Sequence, residues 1–151
     1  MKFSAKVEYA LRALLELSQE QGKGPLGAKE IAARQGIPER FLEQQMNSLA
    51  KAGFVRSQRG AQGGCMLSRD PDKISVLEVI EALEGPLLNM ECLDSHKESN
   101  YQCSQKSLCV LQEVWSEAQQ KLREYLSGVT IADLWRRQQE MTQTAGTLYY
   151  I

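Results

Sequence analysis

Apolar side chains recur at intervals of three and four along the first fifty residues, the spacing of one face of an α-helix. The pattern predicts a helix from Ser4 to about Glu20, with Ser4 as its N-cap, and two shorter helices over residues 28–35 and 38–52. Gly36 ends the first of the short helices. The two short helices are therefore joined by a very short turn.

A hairpin with a glycine-rich tip is predicted after this helix pair. Residues 54–58 and 65–68 have the composition of short strands, and the segment between them contains Gly60, Gly63 and Gly64. Glycines allow the tip to turn tightly and bring the backbone close to another molecule.

The second half of the chain predicts helices on both sides of a loop. Residues 75–83 return to helical spacing, whereas residues 87–106 lack periodicity. Apolar positions then step by three and four over nearly three heptads, a seam that requires a partner helix and consists of Leu108, Leu111, Trp115, Ala118, Leu122 and Tyr125. A short helix over residues 130–141 and a polar tail complete the predicted elements.

Helix, tight turn, helix and hairpin follow one another in the order of a winged helix-turn-helix. The sequence thus predicts a mainly α-helical fold with a small β-hairpin wing and a long C-terminal dimerisation helix. We divide the chain into a DNA-binding domain (residues 1–84), a cysteine-bearing loop (85–106), the dimerisation helix with a short final helix (107–141) and a tail (142–151).

In such a fold the second helix of the pair enters the major groove of DNA. Its outward side chains include arginine, glutamate, glutamine and asparagine, which can read base edges, and the hairpin adds arginines and glycines that can approach phosphates. The predicted DNA contacts are Arg40, Glu43, Gln44, Asn47, Arg56, Arg59, Gly60, Gly63 and Gly64. A solvated helix pair with a hairpin is the alternative. A nucleotide-binding loop is disfavoured because a second strand, not a helix, follows the glycines.

Length and charge narrow the class of protein further. The chain has 151 residues, enough for one domain with a modest core. It contains no apolar stretch long enough to span a bilayer, so we expect a cytoplasmic protein with no membrane partner. Residues 1–70 hold eleven Lys and Arg against seven Asp and Glu, whereas the remainder is net acidic. The basic half is the one expected to face phosphates.

The helix pair and hairpin resemble the Rrf2 family of transcriptional regulators. The resemblance is carried by Ile31-Ala32, Gly36-Ile37, Phe41-Leu42-Glu43-Gln44, Leu49, Gly53-Phe54-Val55, the run from Arg59 to Gly64, Ile74 and Glu78-Val79-Ile80. It implies that Arg40, Glu43, Gln44 and Arg59 contact DNA. Cys65 stands where the family usually has an aromatic residue, and we expect a half-buried thiol there.

Three cysteines lie in or beside the predicted loop: Cys92, Cys103 and Cys109. A cytoplasmic protein keeps thiols reduced, so a disulfide framework is not expected. No Cys-x-x-Cys pair supports a zinc ribbon or a thioredoxin-like site. The spacing alone leaves reduced free thiols as the default and an iron-sulfur cluster as the alternative.

The family resemblance favours the cluster. It places the chain in the iron-sulfur-binding branch, with IscR, NsrR and RirA, whose members carry three cysteines in this region. IscR has a histidine ligand three positions after the last cysteine, but this chain has Gln112 there. NsrR-like members use an acidic residue of the partner's first helix, which corresponds to Glu8, and His96 is a further candidate. Solvent-exposed, ligand-free side chains are the alternative for both. Whether the cluster is 2Fe-2S or 4Fe-4S stays open.

These features together predict a homodimeric regulator, most simply a repressor, that binds a double-stranded operator and senses iron, redox state or nitric oxide through its cluster. A cluster-free regulator that senses oxidation of its thiols is one alternative. A protein-interaction adaptor without DNA binding is another. An enzyme is not expected, because the chain has a single histidine and no recognisable catalytic constellation.

Overall fold

A computed structural model of the protein describes residues 3–60, 63–88 and 109–148. The helices in these ranges are α1 (Ala5–Gln19), α2 (Ala28–Gln35), α3 (Glu39–Lys51), α4 (Val76–Glu84), α5 (Val110–Ser127) and α6 (Ile131–Leu148). Strands β1 (Val55–Gln58) and β2 (Gly64–Leu67) form one antiparallel hairpin between α3 and α4. The predicted mainly helical fold with a β-hairpin wing is confirmed.

Glycine and proline set the bounds of the helix pair, as the sequence predicted. Gly36 adopts a left-handed backbone with φ of 61° at the end of α2, and its position is followed by the tight turn to α3. Pro38 occupies the N-cap of α3, where its missing N–H group removes no helical hydrogen bond. The bounds of the helix pair are therefore set locally, by Gly36 and Pro38, and do not depend on contacts with the rest of the fold.

Helix α1 lies at the centre of the core. It contacts α2, α3, α4 and α6 as well as strand β2. The largest fully buried side chains of the core come from α1, α2, α3, α4, α6 and the segment before α4: Leu14, Ile31, Leu42, Leu49, Val79, Ile131 and Ile74. Helix α3 packs directly on α1.

The wing is joined to the helices by one additional backbone pair. In the hairpin, Val55 pairs with Leu67 and Gln58 pairs with Gly64. Leu26, in the connection between α1 and α2, exchanges two hydrogen bonds with Cys65, at N to O distances of 2.9 and 2.8 Å. This pair anchors β2 to the helix pair and so limits how far the wing can move.

The C-terminal helix differs from its prediction. Residues 130–141 were predicted as a short helix before a polar tail, but α6 continues to Leu148. Its polar side chains are satisfied within the helix, since the hydroxyl groups of Thr142 and Thr144 donate to backbone carbonyl groups one turn earlier, each at 2.9 Å. The polar composition of the residues after 141 therefore does not mark the end of this helix.

The beginning of α1 differs in a smaller way. Ser4 occupies the predicted N-cap, but its hydroxyl forms no hydrogen bond with the first turn. The hydroxyl and backbone N–H of Ser4 instead contact the carboxylate of Glu84, and Lys6 donates to the Leu83 carbonyl at 2.9 Å. A long-range contact has replaced the local cap, and it joins the start of α1 to the end of α4.

Candidate nucleic-acid interface

The exposed face of α3 carries most of the predicted base-reading side chains. One face of the helix buries Leu42, Met46 and Leu49 in the core. The opposite side exposes Glu39, Arg40, Glu43, Gln44, Asn47 and Lys51. The structure thus brings the four predicted contacts of this helix, from Arg40 to Asn47, onto one solvent-facing surface. Such a face presents two cations, two amides and two carboxylates to a partner.

A charged cluster that the sequence analysis missed holds α2 against α1. The carboxylate of Glu16 is almost completely buried and accepts hydrogen bonds from Gln35 and, at 3.3 Å, from Arg34. Arg34 also donates to Glu20 at 3.0 Å and to Glu30 at 2.6 Å. These bonds, the one to Glu20 first, raise the pKa of Arg34, and Arg34 in turn lowers the pKa of Glu20. The cluster joins α2 to α1 and to the residue that follows it.

Helical spacing gives no signal for the burial of Glu16. It stands between Leu15 and Leu17 in sequence, but it lies on the side of α1 opposite Val7 and Leu14, outside the predicted apolar stripe. A sequence pattern also does not identify which of several arginines and lysines will supply the partner.

The wing presents Arg56 and Arg59, which are both exposed. Its glycines serve the fold as well as the surface. Gly60 has a φ of 122°, which favours glycine, and Gly63 already donates its N–H to the Gly60 carbonyl at 2.9 Å. A Cβ on Gly64 would lie 2.6 Å from the Leu26 carbonyl oxygen. Gly63 and Gly64 are thus required for close backbone contacts, whether or not they also approach DNA.

Of the predicted cluster ligands, Glu8 and Cys109 lie in the described part of the chain. Glu8 is in the first turn of α1, with its side chain 64% exposed and 3.5 Å from Arg12. Cys109 is the half-buried N-cap residue of α5. Cys92, Cys103 and the alternative ligand His96 lie outside the described residues. Across the described ranges, no three potential metal ligands come together.

Cys65 takes the position predicted for it. Its thiol is half-buried in β2, 3.8 Å from the hydroxyl of Ser57 on the neighbouring strand. It is remote in sequence from the other cysteines, and its backbone, rather than its sulfur, makes the contact that holds the wing to Leu26.

Comparison with known proteins identifies the family to which the chain belongs. The model of the Rrf2 family, described as an iron-dependent transcriptional regulator, matches residues 3–137. The chain belongs to the Rrf2 family. It is 34% identical over 134 residues to the transcriptional regulator CymR of Bacillus subtilis, and the aligned region covers 89% of each protein.

Solved structures give the same assignment. The structure of CymR, the global cysteine regulator of B. subtilis, has a TM-score of 0.72 and 31% identity and covers 91% of this chain and 98% of that one. The structure of T. potens IscR has a TM-score of 0.74 and 35% identity, over 93% and 90% of the two chains. This Rrf2 protein is therefore a helix-turn-helix transcriptional regulator with a winged-helix fold. Among the described residues, none of the helices combines the length and apolarity needed to cross a membrane.

Proposed function

We propose that this Rrf2 protein is a homodimeric repressor that reads a pseudo-palindromic operator with α3 and the wing. The observation that carries the proposal is the polar face of α3, on which Arg40, Glu43, Gln44 and Asn47 are all exposed while the opposite face is fixed in the core. Arginine fits guanine, the amides fit adenine and glutamate fits the amino group of cytosine. Arg56 and Arg59 on the wing add cations for the adjacent phosphates or minor groove.

Selection of binding sites from random DNA, followed by titration of the enriched duplex, tests this assignment. Arg59→Ala should weaken binding to all sequences, because it removes a phosphate or minor-groove contact. Glu43→Ala should mainly relax base preference, with a loss of about 1–3 kcal/mol at one position. Lys121→Ala, which removes an exposed cation of α5, is the matched control and should leave affinity unchanged. Unaltered affinity and specificity in both α3 and wing variants would refute the placement.

Dimerisation through α5 follows from its exposed apolar side chains. Not one residue of this 18-residue helix is buried in the protomer. Its exposed apolar side chains are Val110, Leu111, Val114, Trp115 and Tyr125. Four of these five side chains cluster at the start of the helix, an exposed apolar cluster of the kind that marks an interaction surface, and the spacing of the seam is that of helix pairing. A second copy of the same helix is the occupant that also gives a two-fold DNA-binding protein.

We further propose that Cys92, Cys103 and Cys109 bind an iron-sulfur cluster, with Glu8 of the partner subunit as fourth ligand. The donor chemistry fits: three thiols are available, and the described ligands are accessible, Cys109 half-buried at the N-terminus of α5 and Glu8 projecting from α1. When bound, the cluster would supply iron that is easier to attack at its carboxylate ligand than at a thiolate.

Placement of a ligand on α1 gives the signal a route to DNA. Glu8 lies on the helix that packs directly against α3. Formation or loss of the bond between Glu8 and the cluster therefore shifts α1, and the exposed face of α3 shifts with it. In a dimer this changes the distance between the two copies of α3, and so the half-site spacing that the protein fits.

Anaerobic purification with iron and sulfide analysis tests the cluster independently of DNA binding. Cys→Ala at any of the three positions should abolish the visible absorption of the cluster. Glu8→Ala should leave a labile cluster and altered DNA affinity, and Glu113→Ala, which removes a first-turn carboxylate of α5, is its control. Parental iron and sulfide content in a triple cysteine variant would show that the cysteines are misassigned.

A cluster-free thiol sensor is the second candidate, and the likeness to CymR, a cysteine regulator, favours it. In that case the purified protein contains neither iron nor sulfide. Its DNA affinity instead falls on oxidation of the thiols and is restored by a reductant. Metal analysis and a redox titration on one preparation separate the two mechanisms.

A further inference from the structure

One aromatic side chain lies at the edge of the polar surface of α3. Phe41 is 56% exposed, although it stands in the first turn of a helix whose other large apolar side chains are in the core. Its backbone is fixed, since its N–H donates to the Pro38 carbonyl at 3.0 Å. A phenyl ring that is more than half exposed gains little from folding, and an apolar partner on this side of α3 would cover the remaining surface.

Helical geometry places Phe41 beside Gln44, at the edge of the polar face of α3. Residues three apart are neighbours on a helix, so the ring lies one turn before Gln44 and on the same side. In helix-turn-helix proteins, the N-terminal residues of the recognition helix are the ones that contact base edges. Phe41 therefore lies in the N-terminal part of α3, where side chains of a recognition helix can reach base edges.

The major groove offers one apolar group to such a ring, the C5-methyl group of thymine. A phenyl ring has no hydroxyl with which to bond a phosphate, so its contact with DNA is apolar. We propose that Phe41 is a specificity-determining residue that packs against a thymine methyl next to the base read by Gln44. This inference rests on the proposed function, since it requires α3 to be the recognition helix.

Deoxyuridine provides the test, because it pairs as thymine does but lacks the methyl group. The operator selected by the full-length protein is resynthesised with each thymine of one half-site replaced in turn by deoxyuridine. At one position the parent protein should lose affinity about fourfold, the effect of one buried methyl group. At the other positions the change should be less than twofold.

The same series with Phe41→Ala separates this contact from a general loss of binding. Phe41→Ala should bind the thymine operator roughly tenfold more weakly and should no longer distinguish deoxyuridine at the sensitive position. Phe41→Leu, which keeps an apolar side chain, should retain part of the discrimination. Phe3→Ala removes another exposed phenyl ring, 44% exposed and outside α3, and should behave as the parent protein.

Two outcomes would overturn the inference while leaving the proposed function intact. In one, the protein selects an operator but no deoxyuridine substitution changes affinity. In the other, the sensitive position is equally sensitive in Phe41→Ala, so that another residue makes the contact. Failure to select any sequence would instead reject the proposed function itself. Unchanged circular dichroism of Phe41→Ala establishes that the variant is folded.

Discussion

At the scale of single residues, Gln45 stands out on the buried side of α3. It is 6% exposed, and its side-chain oxygen finds no hydrogen-bond donor among the described residues. A buried amide oxygen without a donor loses its hydration and gains nothing in return. It lies on the helical face of Leu42 and Met46, where an apolar side chain of the same length would pack without this penalty.

Gln45→Met should therefore stabilise the protein by about 1–2 kcal/mol, measured as an increase in the urea midpoint at an unchanged m-value. Gln44→Met, one residue earlier and exposed, is the control and should change stability by less than about 0.5 kcal/mol. A decrease in the midpoint for Gln45→Met would mean that the amide has a partner, such as an ordered water molecule, whose bond the substitution breaks.

Gly64 shows a second constraint at this scale, the close approach of two backbones. Gly64→Ala would place a methyl group 2.6 Å from the Leu26 carbonyl oxygen, and β2 would have to move away from the connection between α1 and α2. We expect a destabilisation of about 1–3 kcal/mol by thermal or urea unfolding. Gly128→Ala is the control, since its methyl group would lie 3.5 Å from the nearest atom and its φ of −81° suits alanine. Equal stability of the two variants would contradict this account of the wing.

At the scale of elements, two helices begin with the same reciprocal motif. Ser75 and Glu78 form a capping box at the start of α4, and Thr130 and Asp133 make the matching bonds at the start of α6. Ser75 and Thr130 also pair through their backbones, so the two helix starts lie side by side. Hydrogen bonds from the backbone of Ser75 and of Thr130 lower the pKa of Glu78 and Asp133 respectively.

A lowered pKa in the folded state gives these boxes a defined pH dependence. The folded protein holds the Glu78 carboxylate more readily than the unfolded chain, so the stabilisation is present above the ordinary pKa of 4.5 and is lost as the pH falls through the lowered value. Glu78→Gln should thus be less stable than the parent at pH 7, and the difference should shrink below about pH 4. A stability difference that is the same on both sides of this pH would contradict this account.

Local signals explain which elements the sequence could predict. The bounds of α2 and α3 depend on Gly36 and Pro38, and the hairpin on its glycines, so these elements followed from short segments. The end of α6 and the cap of α1 did not, because they depend on long-range partners or on polar side chains satisfied within a helix. The polar face of α3 could also be predicted, because the spacing of apolar residues that predicts this helix shows which of its side chains point away from the core. The Glu16–Arg34 cluster was missed because ion-pair partners are set by tertiary packing.

At the scale of the whole molecule, the apolar seam of α5 has two parts. Leu122, which the sequence assigned to the dimer contact, is half-buried against the core of its own protomer. Leu111 and Val114, nearer the start of the helix, are 66% and 51% exposed. Leu122 is thus the described seam position least available to a second subunit, and Leu122→Asp would disturb the packing of its own protomer as well as a dimer contact.

The paired variant Leu111→Asp and Val114→Asp is therefore the informative one. Four like charges brought together across a two-fold helix contact lose the apolar burial and repel one another, so the protein should sediment as a monomer and bind operator half-sites independently. Its far-ultraviolet circular dichroism should match that of the parent, since neither side chain contributes to the core. Met141→Asp alters an equally exposed apolar side chain, 73% exposed on α6, and should leave the dimer intact. A paired variant that remains a dimer of parental affinity, or a Met141→Asp variant that dissociates, would move the interface away from α5 and with it the route proposed from the partner's α1 to the spacing of the recognition helices.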